Sequence, residues 1–262
     1  MQFAFCLEML FREMPFVDRL AFAKGAGISN IEFWDWRDKD LASLAQAMTE
    51  HRVRVTNLSG NRLHGMIDQS QREPFLKEVV ETAQVAGRLG CARLMLLVQS
   101  LRPDGSAVPP PSGLSGARIF EQIVACGLEL AKLGDALNLE FVIEPLNTVT
   151  DHPGYFLDSS KIAFEIIREI NHPRVRVLYD IYHMAVMGED LLGDIERHMD
   201  LMGYFHVADA PGRNEPGAGD IPYREISALL RNLDFRGVVG FEYFPSNGRS
   251  EESIGKAFRA FE

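Results

Sequence analysis

Leu139-Glu140-Phe141-Val142-Ile143-Glu144-Pro145 is a short apolar run, rich in β-branched and aromatic residues, that stops on an acid and a proline. Such a run is too short for a helix and has the composition of a strand buried on both faces, as in a parallel sheet. Downstream, Ser159 stands where a helix cap belongs, a helix-period stretch follows, and Val175 to Asp180 is a second apolar run ending on an acid. Together these make one strand–helix–strand unit. Working outward, the unit recurs along the whole chain. The predicted strands are Gln2 to Leu7, Ile28 to Phe33, Val53 to Leu58, Arg93 to Val98, Leu139 to Glu144, Val175 to Asp180, Met202 to Val207 and Val238 to Glu242. Predicted helices begin near Pro15, Lys39, Gln71, Ser115, Ser159, Asp190, Pro222 and Ser250. Gly25, Gly27, Gly90 and Gly134 fall near predicted helix ends, where left-handed closing residues are wanted.

Eight such units in 262 residues predict an α/β fold, a single closed (β/α)₈ TIM barrel forming one domain over residues 1–262. A doubly wound sheet would carry a Gly-rich first turn. Here Gly25-Ala26-Gly27 lies between a helix and the next strand, the wrong order for a dinucleotide fingerprint, and reads as a helix stop. There is no P-loop. The loop from Gln99 to Gly116, with Pro109-Pro110-Pro111, follows the fourth strand and so belongs to the catalytic face, as a lid or as an insertion.

The formal net charge is −10, with 27 Lys and Arg against 37 Asp and Glu. Phosphate neutralisation wants the opposite balance, so a nucleic-acid partner is not expected. The apolar run near the middle, Leu94 to Val98, is far too short to span a membrane, and Phe3 to Leu7 lacks the basic flank of a signal peptide. Cys6, Cys91 and Cys126 are odd in number and scattered, without C-x-x-C spacing. The expectation is a soluble cytoplasmic protein without disulfides. A homo-oligomer is left open.

Catalytic groups of such barrels sit at the C-terminal ends of the strands. Strands five to eight deliver Glu144, Asp180, His206 and Glu242 there. Each alone has a bland reading, a polar residue meeting solvent where a strand leaves the core. Three carboxylates converging on one mouth, however, would repel each other unless a cation sat among them. The expectation is a bound divalent metal held by Glu144, Asp180, His206 and Glu242. A mostly oxygen donor set with one imidazole suits Mn²⁺, Mg²⁺ or Co²⁺, with Zn²⁺ also compatible. Such an ion would polarise a hydroxy-carbonyl substrate, while Glu144 and Glu242, on separate strands, remove and return a proton. A Schiff-base aldolase is disfavoured because Lys24, Lys39, Lys77, Lys132, Lys161 and Lys256 fall in predicted helices or their starts, and a multi-zinc phosphodiesterase would need more His ligands. His183, three residues past Asp180, is a candidate to bond a substrate hydroxyl or orient a ligand, and Arg213, in Pro211-Gly212-Arg213, to grip a carboxylate or polyol. Trp34, Trp36, Asn57 and His64 follow strands two and three and are candidate pocket walls, with core packing the alternative for the tryptophans.

Glu144-Pro145-Leu146-Asn147-Thr148, Asp180-x-Tyr182-His183, Pro211-Gly212-Arg213-x-Glu215-Pro216 and Gly240-Phe241-Glu242-Tyr243-x-Pro245 resemble hydroxypyruvate isomerase, within the xylose-isomerase-like sugar isomerases and epimerases. The likeness follows strand order over nearly the whole chain and is most specific in the second half. It implies Glu144 and Glu242 as catalytic glutamates and Glu144, Asp180, His206 and Glu242 as metal ligands. It also implies a small carbohydrate or keto-acid substrate, with hydroxypyruvate and tartronate semialdehyde the first pair to try. The chain departs from hydroxypyruvate isomerases at His206 and Asp209, where Gln is usual or frequent, at Ala185, and at Leu58-Ser59-Gly60-Asn61; His206 is similar to ketose 3-epimerases, which add a second Glu that is missing from Asn147 to His152. A ketose 3-epimerase or inosose-type isomerase is therefore the nearest rival, and a non-catalytic sugar-acid binding protein the rival from another class.

Overall fold

The computed structural model describes residues 1–261. Eight parallel strands close into a barrel in sequence order: β1 (Gln2–Cys6), β2 (Asn30–Phe33), β3 (Arg54–Ser59), β4 (Arg93–Leu96), β5 (Glu140–Ile143), β6 (Val175–Asp180), β7 (Met202–Val207) and β8 (Val238–Phe241). Closure comes from β1 beside β8, paired from Gln2 with Val238 to Phe5 with Phe241. Around them lie α1 (Arg19–Gly25), α2 (Leu41–His51), α3 (Arg72–Arg88), α4 (Gly116–Leu137), α5 (Ser160–Ile170), α6 (Ile181–Val186), α7 (Leu191–His198), α8 (Tyr223–Asn232) and α9 (Ser250–Ala260). The predicted barrel is the fold observed.

The strand pleat separates two cores. Outward side chains such as Phe5, Phe141, Val177, Phe205 and Phe241 pack against the helices. Inward ones, Ala4, Met95, Val142, Leu178, Tyr204 and Val238, plug the barrel centre. Because side chains alternate along a strand, the next inward residues toward the C-terminal mouth are Glu144, Asp180, His206 and Gly240. Register keeps them level: Asp180 pairs with His206, and His206 with Gly240. An apolar plug thus forms the floor beneath a polar layer.

Local boundaries differ from the sequence reading where short-range chemistry competes. Residues near Pro15 form turns, and α1 starts only at Arg19. Gly134 does not end its helix: α4 continues to Leu137 and closes on Asn138 at φ 53°, while Gly134 lets Arg174 and Leu139 pack against the helix, where an added Cβ would lie 2.7 Å from the Arg174 Cβ. A further short helix, α6, starts directly after β6. Gly27, at φ 88°, does follow the end of α1 as a closing residue. The three cysteines are free and buried. Among the described residues no helix is long and apolar enough to cross a membrane.

Candidate metal and proton-transfer centre

Glu144, Asp180, His206 and Glu242 converge at the mouth, each buried, with one ligand atom of each within 4.8 Å of the others. His206 is the hub. Its Nδ1 lies 3.1 Å from Glu144 Oε1, 3.7 Å from Glu242 Oε2 and 4.0 Å from Asp180 Oδ2. Its Nε2 lies 3.1 Å from Glu32 Oε1, but outside hydrogen-bond angles, so both atoms remain without a formal partner. Glu32 is a fourth inward acid, on β2, and its other oxygen accepts from Tyr204 Oη at 2.7 Å. It reaches His206 because β8 presents Gly240 between them: a Cβ there would stand 2.6 Å from the Glu32 carboxylate and 2.9 Å from the His206 ring.

Asp180 does two jobs. Oδ1 caps α6 by accepting from the His183 backbone N–H at 3.0 Å, while Oδ2 faces the cluster with His183 Nε2 3.6 Å away. The cap explains why a helix starts straight from the strand end, and it fixes His183 in the first helical turn. His183 Nδ1 accepts from the Asn147 side-chain amide at 2.6 Å, so the network assigns the ring hydrogen to Nε2, which has no hydrogen-bond partner among the described residues. Asn147 is itself held by Asp151, at 2.6 Å, and by the backbone N–H groups of Thr150 and Asp151. Glu242 accepts from Trp34 Nε1 at 2.6 Å and from Arg213 at 2.5 Å.

Burial dominates the electrostatics. It lifts the Glu144 carboxyl to about 7 and that of Asp180 to about 6, against the pull of His206. Burial also opposes ionisation of Glu242, yet His206, Arg213 and the Trp34 bond together hold it below the usual carboxylate range. His206 would be neutral if burial acted alone; Glu32, Glu242 and the bond to Glu144 hold its pKa well above the ordinary value. His183 is pushed well down by burial and by Arg213, which keeps it a neutral N–H donor.

The donor set fits a divalent cation. Three buried carboxylates and an imidazole converge, while among the described residues Glu144 has no side-chain hydrogen bond other than that to His206, and Asp180 Oδ2 has none within reach. Oxygen-rich ligation with one nitrogen is the pattern of Mn²⁺, Mg²⁺ or Co²⁺, with Zn²⁺ compatible.

All six sequence-predicted site residues thus meet in one place, and Glu144, His183, Arg213 and Glu242 line a cavity of about 220 Å³. Its wall includes Trp34, Arg62, Met95, Leu97, and Leu101 to Pro103. The loop after β4 therefore does contribute to the mouth. Of the predicted wall residues Trp34 is present, but Trp36 donates to Thr82, His64 bonds Gln71 and Asn57 is buried, and none of these three lines the cavity. Arg213 is not a free fork. Left-handed at φ 53° and stacked over Tyr182, it is engaged with Glu242. Sequence reasoning did not single out Glu32, Asn147 or Arg62. An acid inside the apolar run Ile31-Glu32-Phe33 was a signal for the first; the other two sit in loops, where periodicity carries no information.

Fold and centre together define a TIM barrel with a buried acid–imidazole cluster at its C-terminal mouth. Residues 20–261 match the family described as xylose isomerase-like TIM barrel, and the chain belongs to that family. It is similar to hydroxypyruvate isomerase of Escherichia coli, 29% identical over 253 residues covering 94% of each chain, and to 2-oxo-tetronate isomerase of Pectobacterium atrosepticum, 26% identical over 264 residues covering 98% and 96%. A crystal structure described as AP endonuclease, family 2, from Brucella melitensis superposes with a TM-score of 0.88 at 25% identity, covering 98% of both chains. By its full-length relationship to the isomerases, the chain is an isomerase.

Proposed function

We propose that this protein is a metal-dependent isomerase that interconverts a small 2-keto-3-hydroxy acid with its hydroxy-aldehyde isomer, hydroxypyruvate and tartronate semialdehyde being the first pair. The observation that supports this most is the convergence of two carboxylates suited to proton transfer, Glu144 and Glu242, on a cluster with the donor set of a divalent ion. A bound ion would polarise the substrate carbonyl and offset the charge of the enediolate. The chain's own residues do the rest. Glu144 takes the proton from the hydroxyl-bearing carbon as the general base. Glu242, oriented by Trp34 and Arg213, returns a proton to the former carbonyl carbon. Glu242, otherwise held ionised by His206 and Arg213, takes up the proton it delivers from solvent, Glu144 releases its own to solvent, and the hydroxyl proton passes to the other oxygen, so atoms and charge balance. His183 Nε2–H, buried without a hydrogen-bond acceptor among the described residues, would donate to a substrate oxygen, and the cavity, smaller than the roughly 300 Å³ at which drug-sized pockets begin, suits a small substrate.

Metal analysis of the purified protein, followed by NMR of hydroxypyruvate in D₂O, tests both halves. The expected result is about one ion per chain and deuterium on the carbons that exchange, lost on chelation and restored by Mn²⁺ or Co²⁺. Binding of hydroxy acids without exchange would indicate a sensor instead, and label at C3 of a ketose without aldehyde formation would indicate an epimerase.

A further inference from the structure

Three arginines line the cavity: Arg62, Arg102 and Arg213. Two are already engaged. Arg213 is paired with Glu242, and the Arg102 guanidinium donates to the Ala107 carbonyl at 2.8 Å and to Ser106 Oγ at 3.3 Å within its own loop. Arg62 differs: among the described residues its guanidinium makes no ion pair and no hydrogen bond. Its one recorded contact is with the Trp34 ring, the guanidinium carbon lying 6.0 Å from the centroid.

This freedom is imposed by the surrounding structure. A buried acid beside this loop, Glu78, accepts from the backbone N–H of Arg62 at 2.7 Å and from those of Leu63 and His64, with Arg37 also on it at 3.0 Å. Its acceptor capacity is therefore used on the main chain, and the Arg62 side chain is left over. Asn61 fixes the same loop from the other side, receiving the Leu97 N–H at 3.0 Å and donating to the His64 carbonyl at 2.7 Å. Trp34 then separates Arg62 from the cluster. Its face meets the guanidinium while its Nε1–H holds Glu242, so the cation stands beside the acid centre without collapsing onto it. A rigid loop thus presents an unpaired, half-buried planar cation to the cavity.

We propose that Arg62 is the carboxylate receptor of this site, the residue that seats the anionic end of its substrate. The crowded carboxylates at the mouth would repel an anion. A guanidinium across the tryptophan offers a two-pronged seat for the anionic end while leaving the hydroxy-carbonyl end toward Glu144 and Glu242. The proposal builds on the isomerase reading for which end of the substrate reacts, but the binding it describes is testable without turnover.

The test is calorimetric titration of the protein, with Mn²⁺ added, using D-glycerate as a non-isomerising anion and dihydroxyacetone as a neutral hydroxy-carbonyl of the same length. Arg62→Gln is expected to weaken D-glycerate about tenfold or more, to leave dihydroxyacetone within about twofold, and to leave the melting temperature in place. Arg62→Lys should recover part of the loss, and Arg102→Gln should cost less than about threefold. Equal losses for both ligands, no loss for the anion, or failure of the unaltered protein to bind D-glycerate each overturn the proposal. Absence of deuterium exchange into hydroxypyruvate with the charge-selective loss intact would sink the isomerase reading and leave the carboxylate seat standing.

Discussion

Two sets of buried carboxylates in this molecule differ in how their oxygens are satisfied. Away from the cluster, Glu78 collects three successive backbone N–H groups and Arg37; Asp209 accepts from the N–H groups of Ala210, Gly217 and Ile221; Glu215 accepts from Ser246 twice and from Lys256. These acids bind the loops after β3 and β7, and their acceptor capacity is met by the chain. At the mouth, Glu144 and Asp180 are as deeply buried yet receive almost nothing from the protein beyond His206 and a helix cap. Burying a carboxylate without donors is costly, and folding alone gives no reason to do it. What separates a structural acid from a functional one here is unmet acceptor capacity, since burial is common to both.

The sharpest way to break that distinction is to neutralise the mouth. Glu144→Gln or Glu242→Gln should each reduce turnover by about a thousandfold or more in single-turnover or deuterium-exchange assays, while the metal-free Glu144→Gln protein melts no lower than the unaltered one. Near-normal activity in either variant would end the two-carboxylate mechanism.

The opposite pattern is expected of a saturated acid. Glu78→Ala strands three buried N–H groups and should cost about 3 kcal/mol in urea unfolding, with the turnover number falling less than tenfold. Should Glu78→Ala abolish turnover while stability stays put, the comparison would be inverted.

A smaller effect lies in pH. Glu144 is raised by burial from 4.5 to about 7, so in the metal-free protein the group favours folding fully below its unfolded value, and that contribution is lost as pH rises toward 7. Glu215 has the reverse sign: burial opposes its ionisation, but Ser246 and Lys256 hold it below its ordinary value, so its contribution is present above 4.5 and lost as acid is added through its folded pKa. Stability measured from pH 4.5 to 7 under chelation should therefore decline less in Glu144→Gln than in the unaltered chain. Glu215→Gln should reduce only the loss on the acid side. Identical pH profiles for all three proteins would remove the electrostatic basis of the contrast.

Much of this site was legible in the sequence because period-two alternation carries geometry. Once Val142 and Leu178 are placed inward, Glu144 and Asp180 must be inward as well, two residues nearer the mouth. The same alternation puts His206 above Tyr204. What escaped was held by contacts between segments distant in the chain. Trp34 is a site residue because its N–H meets Glu242 across 208 positions, whereas Trp36, two residues on, turns to Thr82. Helix α6 was missed because an acid ending a strand looks the same in sequence whether or not it caps the next residues.

Residue order alone determined the eight repeating units, the parity of each strand and therefore which acids crown strands five to eight, because these depend on periodicities of two and of 3.6 residues that local chemistry enforces. Tertiary structure decided which charges find partners. Barrel closure sets β2 close enough to β7 for Glu32 to reach His206 across Gly240, commits Arg213 to Glu242 and leaves Arg62 unpaired, and these outcomes depend on through-space distances of a few ångströms that no spacing along the chain encodes.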